Sequence, residues 1–558
     1  MTAIEWHDVG RADDASESEL RRVEAGGRAV CVGRTAAGWV AFDDTCTHEE
    51  CSLAGGELDD GVIVCPCHGS EFDVRTGDVL TPPALDPLPI YQAREEAGAL
   101  QVRLAPPPLA ETAAHAREDH VPEVAVRRAT VPGPPLDGLV LDDVDLTDLD
   151  VWEERVPYDW LALLRSDAPL HWNPEQDGRG FWAITRYDDV LQVSKDWQTF
   201  SSELGGTSLQ DLTAEELEAR RSMIDTDPPP HTRMRALVNK GFTPRVVNMY
   251  EERIRGLARG ILAHAFEEET FDWVESVAAE IPMWVFSEIM GLPVEDRKLI
   301  IELGDKILGN TDPEVVGAEN VAEVALRDPA LRKLPFSSPF SLDLIEYGRR
   351  LGEERRHDPR DDITTKLVEA ELDGSRLGEQ EFGVMFILLT TAGNETTRHT
   401  ISLGLHDLLT HPAELERLVD DPSIAGSAAD ELLRRAHPVH HFRRTATREV
   451  VMHGRRIREG DKVAIWYAGA NYDDAKFADP YRLDVGRTPN PHLAFGAGIH
   501  FCLGAPLARL EARVALAILL ARVQDVEQAE DATPELTRSS FLRGVTRLPL
   551  RFRARAAA

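Results

Sequence analysis

The sequence predicts a multi-domain protein in which a small all-β unit precedes a larger, mainly helical unit that contains some strands (α+β). Its 558 residues exceed what a single hydrophobic core normally supports. Short strand-like runs separated by Gly, Asp and Pro fill residues 4–104, whereas apolar residues recur at helical spacing after about residue 139. We therefore predict domains at 1–105 and 139–558, with a linker at 106–138.

The composition narrows the class of protein. Acidic residues outnumber basic residues by 97 to 61, which gives a formal charge of -36. Such a charge argues against nucleic acid or an anionic membrane as a partner. The sequence contains no run of about 18 apolar residues, and its first residues lack a basic-then-apolar signal pattern. We expect a cytoplasmic protein with no membrane partner.

Two short motifs in the first unit combine cysteine with histidine. The first is Cys46-Thr47-His48, and the second is Cys65-Pro66-Cys67-His68. Each motif offers a thiolate and an imidazole, which is the ligand set of a 2Fe–2S centre with two Cys on one iron and two His on the other. A structural Cys2His2 zinc site is the alternative, but zinc hairpins usually space their ligands as C-x2-C and H-x3-H.

The first unit resembles the Rieske family through these motifs, through CPCHGSEFD and through the following TPPALDPLPIY. The resemblance implies cluster ligation by Cys46, His48, Cys65 and His68. It also implies a disulfide between Cys51 and Cys67 and a hydrogen bond from the Ser70 hydroxyl to the cluster. Phe72 stands where high-potential members carry a tyrosine, so we expect a lower reduction potential. Cys31, in an apolar run, is interpreted as a core residue.

The segment 106–138 contains PPPL and PGPPLDG and shows little apolar periodicity. Such a composition is typical of a tether. A flexible chain of this length has a root-mean-square span of about 30 Å. The first unit could therefore reach the second without a permanent interface.

A single cysteine, Cys502, lies in the glycine-rich run FGAGIHFCLG, immediately before the helical pattern APLARLEARVALAILLARV. Gly496, Gly498 and Gly504 permit turns and close approach of the backbone. At a loop-to-helix junction, backbone N–H groups and the positive helix end stabilise a thiolate, the form that binds metal. The alternative is a structural buried cysteine in a turn.

Three further motifs precede this loop. In DPPPHTRMR, His231 and Arg235 are four residues apart and share one helix face, as a pair that binds an anionic group would. The apolar helix FGVMFILLTTAGNETTRHTISLGLHDLL carries AGNETT at its centre, where a glycine and a threonine favour a local opening. Glu431-Leu432-Leu433-Arg434 is an E-x-x-R pair.

These motifs, in this order, resemble the cytochrome P450 family. The resemblance makes Cys502 the axial ligand of haem b and places His231, Arg235, Arg444 and His500 at the haem propionates. It places Gly393 in the oxygen-binding groove, Thr396 as a hydrogen-bond donor to dioxygen and Glu395 in a proton relay. Arg482 is expected to join Glu431 and Arg434 in a structural network. The pocket is expected to include Leu388, Thr391, His440 and Phe442.

The resemblance implies a haem-thiolate monooxygenase that hydroxylates or oxidatively dealkylates a small organic substrate with O2. TDPPPHTRMR, TTAGNETTR and FRRTATREVVMHGRRI are most similar to bacterial hydroxylases of sterols and long branched acyl chains. His440 departs from this, because an imidazole is unexpected beside an apolar tail. It would either recognise a polar group or bond to a backbone carbonyl.

The sequence also indicates where the electrons come from. No G-x-G-x-x-G follows a strand and opens a helix, so we expect a separate NAD(P)H-dependent flavoprotein reductase to reduce the cluster, which then reduces the haem. Two alternatives remain. A Rieske non-haem oxygenase would need a two-His, one-carboxylate iron site. A haem and iron–sulfur redox or gas sensor would be expected to lack the Glu395–Thr396 pair.

Overall fold

The computed structural model describes most of the chain. The described residues are 6–11, 20–35, 38–47, 51–59, 61–65, 70–81, 84, 87–96, 98–104, 133–136, 138–176, 178–239, 241–242, 244–308, 328–372, 375–520, 526–529 and 534–552. The chain divides into two compact units, Met1–Thr130 and Val131–Ala558. The predicted linker lies almost wholly outside the described residues, so its bounds stay a prediction.

The described part of the first unit is all β. Its strands are β1 His7–Arg11, β2 Arg21–Ala25, β3 Arg28–Thr35, β4 Gly38–Asp43, β5 Glu57–Asp59, β6 Val62–Val64, β7 Glu71–Asp73, β8 Val79–Thr81, β9 Ile90–Glu96 and β10 Ala99–Arg103. They form a sheet in the order β1-β10-β9-β4-β3-β2 and a second sheet in the order β5-β6-β7-β8. Neighbouring strands pair antiparallel throughout, as in β3 with β4 and β6 with β7.

Apolar side chains from both sheets build the core of this unit. One cluster joins Phe42 of the larger sheet with Ile63 and Phe72 of the smaller one, and all three are fully buried. Cys46 and Cys65 belong to the same cluster. Since Cys46 follows β4 and Cys65 follows β6, the ends of two strands present the two thiols to one region of the unit.

The second unit is mainly helical, which confirms the predicted fold class. Its helices are α1 Leu149–Glu154, α2 Tyr158–Asp167, α3 Tyr187–Lys195, α4 Ala214–Ala219, α5 Pro230–Asn239, α6 Pro244–Met249, α7 Glu251–Ala265, α8 Glu280–Met290, α9 Arg297–Leu308, α10 Phe340–His357, α11 Ile363–Glu369, α12 Glu379–Thr410, α13 Pro412–Asp420, α14 Ala425–Ala436, α15 Tyr467–Ala470 and α16 Ala505–Leu520. None of the helices in the described part of the chain is both long and apolar enough to cross a membrane.

Short strands accompany these helices. They are β11 Leu170–Asn173, β12 Phe181–Ile184, β13 Phe200–Ser201, β14 Thr270–Asp272, β15 Glu371–Leu372, β16 Ser375–Arg376, β17 His441–Ala446, β18 Val450–Met452, β19 Arg455–Ile457, β20 Lys462–Trp466, β21 Val526–Gln528, β22 Glu535–Leu536, β23 Val545–Arg547 and β24 Pro549–Phe552. The main sheet has the order β11-β12-β20-β17-β13, with β12 and β20 parallel.

Helix α12 forms the centre of this unit. It has 32 residues and is therefore about 48 Å long. It packs against α8, α9, α10, α14 and α16, and most of its side chains are buried. The neighbouring helices cover it on most sides, which explains why its first three turns can carry so many apolar residues, such as Val384, Phe386 and Ile387. One face of α12 nevertheless borders a cavity, and that face carries the predicted oxygen-side residue Thr396.

Candidate active site

The loop that carries Cys502 is shaped by two glycines in the left-handed region. Gly496 has φ +71° and Gly498 has φ +70°. A Cβ at Gly498 would lie 2.2 Å from the Ser194 carbonyl oxygen of α3, so no other residue fits there without displacing backbone. The Cys502 N–H donates to the Phe495 carbonyl at 2.9 Å, and α16 begins three residues later. The loop thus holds Cys502 at the N-terminal end of α16, as predicted.

The surroundings of the Cys502 thiol act on its pKa in two directions. Burial raises the pKa and is the largest cause. Backbone N–H groups of Gly504 and Ala505 and the charges of Arg235 and Arg509 lower it. A metal cation on the sulfur would supply the further positive charge that holds a thiolate.

Basic side chains of α5 contact the cysteine loop directly. Arg235 donates from Nη2 to the Phe501 carbonyl at 2.7 Å, and its Nη1 lies 3.4 Å from the Ile499 carbonyl oxygen. The His231 and His500 rings meet edge-on, with centroids 4.5 Å apart. Burial, followed by the charges of Arg235 and Arg444, lowers the pKa of His231 to about 3. The predicted anion-binding residues therefore gather beside Cys502.

Two features of this group fit an anionic ligand. His231 Nε2 is buried and has no hydrogen-bond partner among the described residues. Arg444 is also buried; its Nη1 donates to the Arg443 carbonyl at 2.8 Å, and no ion pair to it is found in the described part of the chain. A buried cation without a counter-ion is costly, so an anion is expected to complete the site. Haem, with two propionates and an iron that accepts a thiolate, fits this set of donors.

Helix α12 is continuous from Glu379 to Thr410, without the local opening that the sequence led us to expect. Thr396 donates its hydroxyl to the Ala392 carbonyl at 2.9 Å, which the helix accommodates without a break. Gly393 packs against α8: a Cβ there would lie 3.0 Å from the Phe286 ring. Close approach of α8 therefore gives this glycine a packing role, and its place in an oxygen-binding groove stays a prediction.

A cavity of about 340 Å³ borders the face of α12 that carries Thr396. Leu388, Thr391 and Phe442, three of the predicted pocket residues, line it. His440 does not: its ring packs against Trp152, with centroids 4.4 Å apart, and it is buried. Burial drives the pKa of His440 well below its usual value. His440 is therefore buried in the core of the second unit, and it is not among the described residues that line this cavity.

Glu395 lines a different cavity, of about 310 Å³, together with Asp305, Arg398 and His399. Its carboxylate contacts Arg398, and the Asn394 amide donates to it at 3.1 Å. Burial raises the pKa of Glu395 to about 8, against the charge of Arg398 and with further support from Asp305. Burial therefore makes Glu395 easier to protonate than an ordinary glutamate, which suits a proton-carrying group.

The two cavities are neighbours. Leu308 of α9 and two residues of the segment between β22 and β23, Ser539 and Leu542, line both of them. Thr396 lines only the first and Glu395 only the second. The two adjacent residues of the predicted relay thus face separate compartments with a common wall.

The E-x-x-R pair forms as predicted, but the second arginine that joins its glutamate is not the one expected. Arg434 makes a bidentate ion pair with Glu431, at 2.8 and 2.9 Å. The guanidinium that joins them is that of Arg487, whose Nε lies 3.0 Å from Glu431 Oε2. Arg482, predicted for this place, instead lies 3.7 Å from Glu414. Arg482 and Arg487 belong to the same loop, and the path of that loop decides which of them reaches Glu431.

The first unit brings two of the four predicted cluster ligands to one core. Cys46 and Cys65 are buried, and the Cys46 N–H donates to the Cys51 carbonyl at 2.8 Å. Cys51 is disulfide-bonded. The predicted ligands His48 and His68 and the predicted disulfide partner Cys67 lie outside the described residues. The ligand set and the pairing with Cys67 therefore stay predictions, and the buried thiols suit an iron–sulfur cluster.

An unpredicted carboxylate organises the first of these loops. Asp44, only 3% exposed, accepts hydrogen bonds from the Ser52 hydroxyl, from the Ala54 N–H and from the Cys31 thiol at 3.0 Å. Arg22 also forms an ion pair with Asp44, with 2.7 Å between Nε and Oδ2. Cys31 is buried as predicted, but it is a donor to Asp44 as well as a core residue. Asp43 and Asp44 stand shortly before Cys46 in the sequence, but the sequence alone did not distinguish Asp44 from the other acidic residues of this unit.

Ser70 and Phe72 lie where the second loop returns to the sheet. Ser70 is fully buried, and its hydroxyl oxygen accepts the Ala84 N–H at 2.9 Å. This bond leaves the hydroxyl proton available for another acceptor, as the prediction of a bond to the cluster requires. Phe72 is buried opposite Ile63 in the strand register, where it has no polar atom to offer.

Comparisons with known proteins agree with this architecture. The model of the Rieske [2Fe-2S] domain matches residues 5–92, and the model of cytochrome P450 matches residues 426–552. A steroid C26-monooxygenase of Mycobacterium tuberculosis is 35% identical over 76% of this chain and 95% of its own length. A methyl-branched lipid omega-hydroxylase of the same species is 37% identical over 75% of this chain and 97% of its own.

Solved structures give the same result. A cytochrome P450 of Mycobacterium marinum in complex with pseudoionone has a TM-score of 0.66 and 33% identity, over 76% of this chain and all of that one. A Bacillus megaterium relative in complex with testosterone has a TM-score of 0.62 and 32% identity, over 71% of this chain and 98% of its own. The chain therefore belongs to the cytochrome P450 family of haem monooxygenases, and it carries a Rieske 2Fe–2S domain ahead of the P450 domain.

Proposed function

We propose that this protein is a monooxygenase supplied with electrons by its own Rieske cluster. A separate NAD(P)H-dependent flavoprotein reductase would reduce the cluster, and the cluster would reduce the haem. The overall reaction is RH + O2 + two electrons + two protons → ROH + H2O. The observation that carries the proposal is the presence, in one chain, of buried Rieske-type thiols and of Cys502 with its surrounding cations.

The chain's own residues divide the remaining work. Bound haem would supply the activation of dioxygen. Cys502 would hold the iron, and His231, Arg235, Arg444 and His500 would orient the propionates. Glu395 would hold a proton in its own cavity, with Arg398 fixing the position of its carboxylate. Thr396 would present a hydroxyl to the substrate cavity, because it lines that cavity one residue away from Glu395.

The substrate class follows from the cavity and from the relatives. Its walls are mostly aliphatic and aromatic, with Leu388 of α12, Phe442 of β17 and Phe541 as examples. Such walls favour an apolar molecule through burial of its surface. The relatives are described as acting on steroids and methyl-branched lipids. We propose that this protein hydroxylates an apolar lipid or sterol-like substrate.

The haem assignment is tested by the spectrum of the reduced protein with carbon monoxide. We expect the red-shifted Soret band of a thiolate ligand, and its absence from Cys502→Ala. A histidine-type band in the unaltered protein would contradict the assignment of Cys502.

The electron route is tested with His68→Ala in the full-length protein. This variant should lose the Rieske EPR signal and reductase-driven product formation while its haem content and carbon monoxide band stay unchanged. Turnover that persists with the reductase alone would show that electrons bypass the cluster. Loss of haem together with the cluster would contradict the assignment of the two cofactors to separate domains.

A further inference from the structure

The substrate cavity runs along α12 and has recognisable ends. Its α12 lining shares one helix face, with successive residues one, three or four positions apart: Val384, Ile387, Leu388, Thr391, Ala392 and Thr396. The distance from Val384 to Thr396 is about 18 Å at the rise of an α-helix. A cavity with this lining suits an elongated molecule.

Arg220 lies at the end of the cavity remote from Thr396. It follows α4 directly, and the carbonyl of its neighbour Ala219 accepts a hydrogen bond from Gln380 at 3.0 Å. Gln380 belongs to the first turn of α12, sixteen residues before Thr396, or about 24 Å along the axis. Arg220 is also one of the lining residues, and it is the only basic side chain in the described lining.

The guanidinium of Arg220 is buried without an ion pair. The residue is 8% exposed. Its three nitrogens donate to neutral oxygens: the Arg332 carbonyl at 2.7 Å, the Gln210 amide at 3.2 Å and the Ser337 hydroxyl at 2.5 Å. No carboxylate lies within ion-pair distance of it in the described part of the chain. Burial lowers its pKa to about 10, which leaves it charged at neutral pH.

The remaining donors of Arg220 are suited to an anion. A guanidinium has five N–H groups, and three are used here, so each terminal nitrogen keeps one N–H. Asp225 also lines the cavity, and its charge and that of Glu216 act on Arg220 from a distance, but the Asp225 carboxylate accepts its hydrogen bonds from Thr207 and Ser222. In the described part of the chain Arg220 therefore has no carboxylate in direct contact, and an anion in the cavity would give this buried cation an ion pair.

We propose that Arg220 is a specificity-determining residue that binds the carboxylate of an elongated apolar substrate, whose opposite end lies at Thr396. This inference rests on the proposed function. A carboxylate carries the single negative charge that one guanidinium balances, and it can accept from two N–H donors of the same guanidinium. The substrate class would then be a long-chain or sterol-derived monocarboxylic acid, hydroxylated at the end remote from its acid group.

Equilibrium dialysis of the haem-loaded, full-length protein with radiolabelled hexadecanoate and methyl hexadecanoate tests the proposal. The unaltered protein should bind the acid roughly tenfold or more tightly than the ester. Arg220→Gln should remove that preference by weakening acid binding while ester binding stays unchanged. Arg220→Lys should restore part of it. Arg221→Gln is the matched control, because Arg221 is a partly exposed neighbour paired with Glu203 and should leave both affinities unchanged.

Equal affinities for acid and ester in the unaltered protein would overturn the proposal, as would an equal loss of both in Arg220→Gln, which would show a structural role. A second readout is the position of hydroxylation, which should shift from the remote end towards a mixture in Arg220→Gln. The dialysis result does not depend on turnover. Failure of the monooxygenase assignment would appear in the carbon monoxide spectrum instead, so the two failures are distinguishable.

Discussion

Arg398 and Asp305 form an ion pair with 2.7 Å between Nη1 and Oδ1, and the other terminal nitrogen of Arg398 contacts Glu395. One guanidinium thus joins a carboxylate of α9 to a carboxylate of α12. Glu395 is buried, whereas the Asp305 side chain is 32% exposed. Asp305 therefore stands between solvent and the buried acid.

Asp305→Asn is expected to slow proton supply without changing substrate binding. The amide can neither carry a proton as a carboxyl does nor balance Arg398, so kcat should fall by roughly ten- to a hundred-fold and the solvent isotope effect should rise. Glu302→Gln is the control, since Glu302 lines the same cavity on the same helix and pairs with Lys306. An unchanged isotope effect in Asp305→Asn would exclude the residue from the proton route.

Glu511 predicts a pH dependence of stability. This residue of α16 is 2% exposed, and burial raises the pKa of its carboxyl to about 8. A carboxyl with a raised pKa binds more protons in the folded state, so its contribution to stability falls as pH rises from its usual pKa through about 8. Glu511→Gln should therefore raise Tm relative to the unaltered protein more at pH 9 than at pH 6.

The exposed Glu416 provides the comparison for this experiment. Glu416→Gln should shift Tm equally at both pH values. A Glu511→Gln effect that does not depend on pH would mean that the carboxyl is already ionised in the folded protein.

The network around Glu431 predicts a difference between two arginines of one loop. Arg487→Ala removes a partner from a fully buried carboxylate and should cost about 3–5 kcal/mol in the free energy of unfolding. Arg482→Ala removes the 3.7 Å contact with Glu414 and a weaker interaction with Asp484, and it should cost less than about 1 kcal/mol. Chemical denaturation of the haem-loaded protein measures both. Equal effects would contradict the assignment of Arg487.

The hydrogen bonds of Asp44 lead us to expect that its carboxylate helps the first unit to retain its cluster. Asp44→Ala leaves buried donors on both sides of the first ligand loop unsatisfied, so the Rieske EPR signal per protein should fall while haem content is unchanged. Asp78→Asn, at an exposed position of the same unit, should leave the signal intact. Full cluster occupancy in Asp44→Ala would show that the loop holds its geometry without this residue.

Short local motifs were predicted well from the sequence, because their geometry is fixed by neighbouring residues. The glycines around Cys502 and the four-residue spacing of His231 and Arg235 are of this kind. His440 is not in the described lining of the cavity, because β17 begins only at His441 and the alternation that puts Phe442 at the cavity does not extend back to it. The glycine and threonine of AGNETT likewise suggested a local opening of α12, but the sequence could not show that the ring of Phe286 packs against Gly393.

Hydrogen-bond and ion-pair partners that lie far apart in the chain could not be predicted from the sequence. The acceptors of Arg220 come from positions 210, 332 and 337, and no spacing rule connects them. The choice between Arg482 and Arg487 depends on how one loop folds over α14. The residues missed by sequence reasoning, such as Asp44 and Arg220, have partners that only the path of the folded chain brings to them.

The wall shared by the two cavities constrains how this protein can evolve. Leu308, Ser539 and Leu542 border both the substrate compartment and the acid compartment. A substitution at Leu542 that makes room for a bulkier substrate would also reshape the cavity of Glu395. Selection for a new substrate would therefore act on the same few side chains as selection on the surroundings of this acid.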